Sequence, residues 1–383
     1  MSRLDELIQE LCPAGVELRK IKEVYTRLKG TPITAGKMKE IDNPNGDIKV
    51  FAGGKTVIKA FEEDIPRANI IRVPAVLVQS RGVIDAVYYE EPFTFKNEMW
   101  AYTADEKTSV KYLYYVLKNN IQQFRVAASG MGSMPQISLK VTEEFIIPVP
   151  PLPVQSEIVR ILDNFTELTA ELTAELTAEL TARKQQYEYY RKQALCFDGN
   201  TPMERLGDTC LMKSGKAIKA TFISETQSKT NQYKCYGGNG VRGFVSELSH
   251  QGEYPIIGRQ GALCGNINYA VGDFYATEHA VVVKSLGKYI PRFLFYLLTA
   301  MNLNQYKSQG AQPGLAVGNI ENLLAPVPSI KKQEYIVNLL DRFDTLCNDI
   351  STGLPAEIEA RQKQYEYYRD KLLTFKEINS DEN

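Results

Sequence analysis

PVPPLPVQSEIVRILDNFTEL, Pro148 to Leu168, decides the architecture, because it returns as PVPSIKKQEYIVNLLDRFDTL, Pro326 to Leu346, with 10 of 21 positions identical. RKQQYEYYRKQALCF, Arg183 to Phe197, returns as RQKQYEYYRDKLLTF, Arg361 to Phe375, with 9 of 15 identical. Both matches lie at an offset of 178 on either side of a 14-residue gap, so the copies carry long elements of equal length. A chain written twice at a fixed offset predicts two-fold pseudo-symmetry.

From Gln155 to Phe197 there is no Gly or Pro, and Ile158, Ile161, Leu162, Phe165, Leu168 and Leu172 recur on one helical face. These 43 residues predict one helix, spanning roughly 65 Å at ~1.5 Å per residue and too long to stand unsupported. Its twin begins near Lys332 and ends near Lys376, with Gly353 and Pro355 predicting a kink that the first copy lacks. Two such helices most simply pair antiparallel, placing their domains at opposite ends of a rod. Three TAEL copies, Thr169–Leu172, Thr173–Leu176 and Thr177–Leu180, lie in the first helix. Each unit adds ~6 Å and turns the helix by ~400°, so a change in copy number alters both length and twist. A slippage-prone DNA tract, tolerated because Ala, Glu and Leu favour helix, gives the same sequence.

The regions before each helix read differently. Residues 19–110 and 200–290 alternate short β-rich runs (Ile70–Val78, Val87–Tyr89, Ala280–Val283) with Gly, Pro and Asn punctuation. A short helix follows in each, Val110–Asn119 and Pro291–Met301, where KYLYYVL aligns with RFLFYLL. The expected class is α+β: domains over residues 1–154 and 199–330, with spacer helices over 155–198 and 331–383. The offset drifts here, from 179 between SRG at Ser80 and RQG at Arg259 to 184 between Gly53–Gly54 and Gly237–Gly238. Leu11–Cys12 with Gly15 also resembles Leu195–Cys196 with Gly199, which makes the repeat cyclic.

Composition sets the bounds. The chain has 383 residues, 44% hydrophobic and 24% charged, enough for two cores. Acids at Asp5 and Glu6 and the lack of any apolar run of about 18 residues predict a cytoplasmic protein without a membrane span. Six cysteines without a CxxC pair, and only His250 and His279, predict reduced thiols and no zinc site. Net charge is −1, yet residues 199–329 carry 12 Lys and Arg against 8 Asp and Glu, and residues 1–154 carry 20 against 19. The helical segments are acidic, at 5 against 8 over residues 155–198 and 8 against 11 over 330–383. This distribution suits an anionic partner for the domains, and suits a merely solvated surface equally.

Catalytic motifs are missing. AGGKT at Ala52–Thr56 fails as a phosphate loop because Lys49 occupies the position of its first glycine. No GxGxxG opens a helix, and NPNG at Asn43–Gly46 is more simply a turn. His279, in ATEHAVVV, reads as a satisfied histidine at a strand edge. What remains are two glycine-rich loops per domain. The second domain has KCYGGNGVRG, with Lys234, Tyr236, Asn239 and Arg242, and GRQG, with Arg259 and Gln260; the first has FAGGK, with Lys55, and QSRG, with Gln79 and Arg81. Arg suits guanine edges and Gln or Asn suits adenine edges, while Lys37, Lys39, Lys216 and Lys219 suit phosphates. Such loops also occur in proteins that touch no DNA.

Taken together, two divergent domains closed by PVP or PPLP turns, a following Gln155 or Gln333, long helices, YGGNG and GRQG loops and a TAEL tract resemble the specificity subunits of type I restriction-modification systems. The resemblance implies two target-recognition domains, each reading half of a bipartite, asymmetric double-stranded DNA sequence. It implies a non-catalytic chain without cofactors of its own. Two modification subunits would bring S-adenosylmethionine for adenine methylation, and restriction subunits ATP- and Mg-dependent translocation. In that family the TAEL count is tied to the gap between half-sites, and a ~40° step is close to the roughly 34 to 36° per base pair of duplex DNA. The competing expectation is a rod-like scaffold presenting two protein- or glycan-binding domains. A steep fall of DNA affinity with salt separates the two.

Overall fold

The repeated segment forms the helix that its apolar spacing requires, running unbroken from Leu152 to Ala194. It starts one turn earlier than Gln155 because Pro153 falls in the first turn, where a missing N–H is tolerated. The second copy is two helices, Ile330–Asn348 and Leu354–Leu373, with Gly353 accepting from the first N–H groups of the latter. The break falls where Gly353 and Pro355 predict it. The computed structural model describes residues 2–128, 135–261, 263–308, 313–348 and 353–378. Among these, no helix is long and apolar enough to cross a membrane.

Two units share out the helices: residues 1–175 with 358–383, and residues 176–357. Each thus holds half of the long helix and part of its twin, packed antiparallel. In the first unit Phe165 meets Tyr368 (5.9 Å between centroids) and the Thr166 and Tyr365 hydroxyls lie 2.9 Å apart. In the second, Phe343 stacks on Tyr190 at 5.4 Å and touches Tyr187. The first unit also joins the two ends of the chain, because Val16 N–H donates to Lys376 O at 2.8 Å and Leu4 and Cys12 share a core with Leu373.

Leu168, just ahead of the TAEL tract, and the three leucines within it trace the drift of the stripe. Leu168 is 60% exposed, Leu172 half-buried, Leu176 7% exposed and Leu180 half-buried, as a rotation of ~40° per copy across a contact face produces.

Each unit closes with a two-stranded ribbon, Leu18–Lys20 against Ile146–Pro148 and Met203–Arg205 against Leu324–Pro326. The main sheets diverge. The second unit has one six-stranded sheet in the order Cys210–Ser214, Ala280–Ser285, His250–Gly258, Ile267–Ala276, Tyr233–Gly237, Gly240–Val245. The first has a four-stranded sheet (Thr26–Leu28, Trp100–Thr103, Ala75–Gln79, Asp85–Tyr89) and a three-stranded one (Val57–Ala60, Ile48–Phe51, Phe93–Phe95). The single strand Ile267–Ala276 of the second unit corresponds to two in the first, Asp85–Tyr89 and Phe93–Phe95. Pro92 between them lacks the N–H a continuous ladder would need.

A matched polar clamp ties each short helix to the frame. Asp163 accepts from Lys111 (2.8 Å) and Tyr115 (2.5 Å), the latter two on the helix Lys107–Asn119. Asp341 accepts from Arg292 (2.7 Å) and Tyr296 (2.5 Å) on the helix Pro291–Ala300.

Candidate nucleic-acid interface

In each domain equivalent main-chain bonds tie the SRG or RQG loop to the segment around Pro135 or Pro313, and the second glycine-rich loop lies against it. In the first domain Gly82 N–H donates to Pro135 O (2.8 Å), Ile137 N–H to Ser80 O (3.0 Å), and Gly54 N–H to Arg81 O (2.9 Å). In the second, Gly261 N–H donates to Pro313 O (3.1 Å) and Leu315 N–H to Arg259 O (2.9 Å). Gly82 and Gly261 sit at φ 78° and 93°, a conformation that keeps the turn to glycine. A Cβ on Gly258 would lie 1.9 Å from Gly238 O, so the two loops of the second domain touch main chain to main chain. They enclose an open concavity of about 750 Å³ whose rim carries Asn239, Arg242, Gln260 and His279.

Most candidate contacts lie on the surface: Lys39, Lys55, Arg81, Lys216, Lys219, Lys234, Asn239, Arg242 and Gln260 are exposed. Lys37 is half-buried and engages Glu40 at 2.8 Å. Arg259 is half-buried and donates to Ser214 Oγ at 3.3 Å. Two do not reach the surface. Gln79 is 6% exposed, because it ends a strand whose five residues are all buried. Tyr236 is 6% exposed, packs edge-on to Phe274 and donates to Tyr269 O at 3.5 Å, and burial pushes its phenol pKa up. Both shape the loops from within. AGGKT is the turn between the strands Ile48–Phe51 and Val57–Ala60 and opens no helix, which leaves it without the anion site of a phosphate loop.

Other residues escape a sequence reading. Lys49 and Lys59 are direct cross-strand partners in the first domain; Lys49 lies 4.6 Å over the ring of Tyr89, and neither has an ion-pair partner among the described residues. Like charges placed opposite each other are destabilising, which suits an anionic partner. His279 is not the satisfied histidine expected from ATEHAVVV: Nε2 lies 3.2 Å from Glu278 Oε1, but Nδ1 is buried without a partner among the described residues. The corresponding pair in the first domain is Glu98–Met99, at offset 180. There Glu98 is satisfied by Lys96 (2.8 Å) and Gly53 N–H (3.4 Å), whereas Ala276 stands at the position of Lys96 and Glu278 Oε2 has no partner among the described residues. The frame is held in common and the side chains on it are exchanged.

That combination matches known proteins over most of the chain. The profile of the type I restriction modification DNA specificity domain fits twice, over residues 13–182 and 200–360. The chain belongs to the type I restriction-modification DNA specificity family. It is 48% identical over 252 residues to the type I restriction enzyme EcoprrI specificity subunit of Escherichia coli, covering 63% of each protein. It is 34% identical over 323 residues, 71% of this chain and 72% of the relative, to the EcoR124I/EcoR124II specificity subunit of the same species. A type I restriction-modification S subunit from M. genitalium shares the fold at a TM-score of 0.51 and 19% identity, covering 93% of this chain and 96% of that one. A structure from work on assembly and conformational transition of the type I system does so at 0.63 and 14%, covering 94% and 97%. This chain carries the domain twice in tandem, which accounts for the double writing of the sequence.

Proposed function

We propose that the chain is the non-catalytic specificity subunit of a type I restriction-modification assembly, each domain reading one half of a bipartite, asymmetric double-stranded DNA target. The observation that carries this reading is the pair of loop sites held by equivalent main-chain bonds and furnished with different side chains. Two half-sites of unrelated sequence need two readers on one frame. In this reading Arg81 in the first domain, and Asn239, Arg242 and Gln260 in the second, contact base edges, and the exposed lysines contact phosphates. The helices set the half-site spacing and dock two modification subunits. Those subunits, with the restriction and translocation subunits, handle S-adenosylmethionine, ATP and Mg²⁺. The test is duplex binding by the chain together with its modification partner across a salt series. Six to ten phosphate contacts lower affinity about 10³- to 10⁵-fold between about 50 and 200 mM salt. A flat salt response would overturn the reading.

A further inference from the structure

Five buried side-chain polar atoms lack a hydrogen-bond partner among the described residues, and three of them, on His279, Glu278 and Asn268, belong to residues on or directly beside the lining of the concavity of the second domain. His279 lines it. Glu278 is its neighbour in the chain, and its Oε2 is one of the three. Asn268 contributes Nδ2; its Oδ1 lies 2.9 Å from where a Cβ on Gly240, another lining residue, would sit. A buried polar group left unpaired is destabilising, so three at and beside one open site mark places where a ligand supplies the partners. The chemistry is mixed. Asn268 Nδ2 is a donor. Glu278 Oε2 is an acceptor, and in the neutral tautomer that carries its proton on Nε2, facing the Glu278 carboxylate, His279 Nδ1 is an acceptor too.

Resting on the DNA-reading function above, we propose that Asn268, Glu278 and His279 determine the base specificity of the second domain. They do so by taking a base pair whose edge offers an exocyclic amino donor beside a ring-nitrogen or carbonyl acceptor. Adenine N6 and cytosine N4 are the amino donors of the major groove, and N7, O6 and O4 the acceptors. The exposed cations around the rim then hold the backbone in place. The first domain fits this division, since its Glu98 is already satisfied by Lys96 and Gly53 and its Met99 is buried; its preferences must come from other side chains.

The experiment uses the full chain in complex with its modification partner and two duplex libraries, each randomised in one half-site. His279→Gln and Asn268→Ala are expected to relax discrimination at one or two adjacent positions of the second domain's half-site by about 10- to 100-fold. Selection at the other half-site stays as in the parent and reports that the chain is folded. The glutamine variant, close in size and still hydrogen-bonding, keeps the test open if the alanine variant does not fold. If both variants select as the parent does, or lose affinity equally for all sequences, the inference is overturned while the DNA reading stands. If the parent complex itself selects no sequence in either library, the DNA reading has failed.

Discussion

Single side chains show how unequal the two copies of the frame have become. Gln333 is fully buried: its amide donates to Pro328 O and Lys288 O, both at 2.9 Å, and its carbonyl accepts from Ile290 N–H at 2.8 Å, just ahead of the helix Pro291–Ala300. Its counterpart Gln155 donates to Pro150 O at 2.8 Å, while its Oε1 is buried without a partner among the described residues. Gln333→Leu therefore strands three main-chain groups, and is expected to lower unfolding free energy by roughly 3 kcal/mol or more. Gln155→Leu strands one and removes an unpaired oxygen, for a loss of about 1 kcal/mol or less; urea titrations of both variants check the order. Lys49 and Lys59 are expected to behave in the opposite sense. Exchanging both for Gln relieves a like-charge pair and raises the melting temperature at low salt, while the slope of log affinity against log salt falls by about 1 per lysine removed. Unchanged DNA affinity with raised stability would remove them from the interface. His250 stacks on Phe274 at 5.3 Å, and burial, with the Lys216 charge adding to it, holds its pKa below the ordinary 6.5. The folded chain thus binds fewer protons than the unfolded one, and stability present above about pH 6.5 is lost as pH falls towards the depressed value. His250→Phe is expected to remove that loss, read as the difference in urea midpoint between about pH 5.5 and 7.5.

At the scale of elements, what was legible in the sequence was whatever obeys a period. Ile158, Leu162 and Phe165 announce a helix by their spacing, and Gly353 and Pro355 announce its interruption, because both signals are local. The split of one long strand into two at Pro92 needed the pairing of Phe93–Phe95 with Ile48–Phe51, a contact between distant segments. The equivalence of Glu98–Met99 with Glu278–His279 was hidden because the offset drifts across the loops and neither pair contains a turn residue to anchor an alignment. Gln79 and Tyr236 read as surface groups by type, yet Gln79 ends a strand buried throughout and Tyr236 lies in the buried end of a strand whose Lys234 is exposed. The TAEL tract is periodic and its consequence is testable residue by residue. Leu176→Ala, at the buried point of the stripe, is expected to cost about 2–4 kcal/mol, and Leu168→Ala, 60% exposed, less than about 0.5. Adding a fourth TAEL after Leu180 is expected to lengthen the gap between methylated half-sites while leaving both half-site sequences intact. An unchanged gap in the methylation map would mean that the tract has no spacing role.

For the whole molecule, the decisive fact is where the units divide. The chain is not cut between domain and helix: residues 176–357 take the second half of the long helix, the second domain and the first part of the returning helix as one continuous stretch. Its core runs from Leu206 to Leu340, with Tyr187, Ala194 and Leu195 packed against it. The other unit is discontinuous, because Leu372, Leu373 and Phe375 complete a core that begins at Leu4. The two units should therefore respond differently to the same cut. A chain ending at Glu357 removes Leu373 and the strand-like contact of Lys376 with Val16, and is expected to expose the first unit's core. Hydrogen exchange should then rise across the helix Lys107–Asn119 and across residues 152–162. Residues 206–340 should exchange as in the intact chain. An excised fragment of residues 176–357 keeps every side chain of its own core, and is expected to melt as a single cooperative transition, its helix ends fraying where they lose their neighbours. If the fragment is unfolded, or if the truncation loosens both units alike, the chain is one cooperative body, and the duplication records its ancestry without dividing its stability.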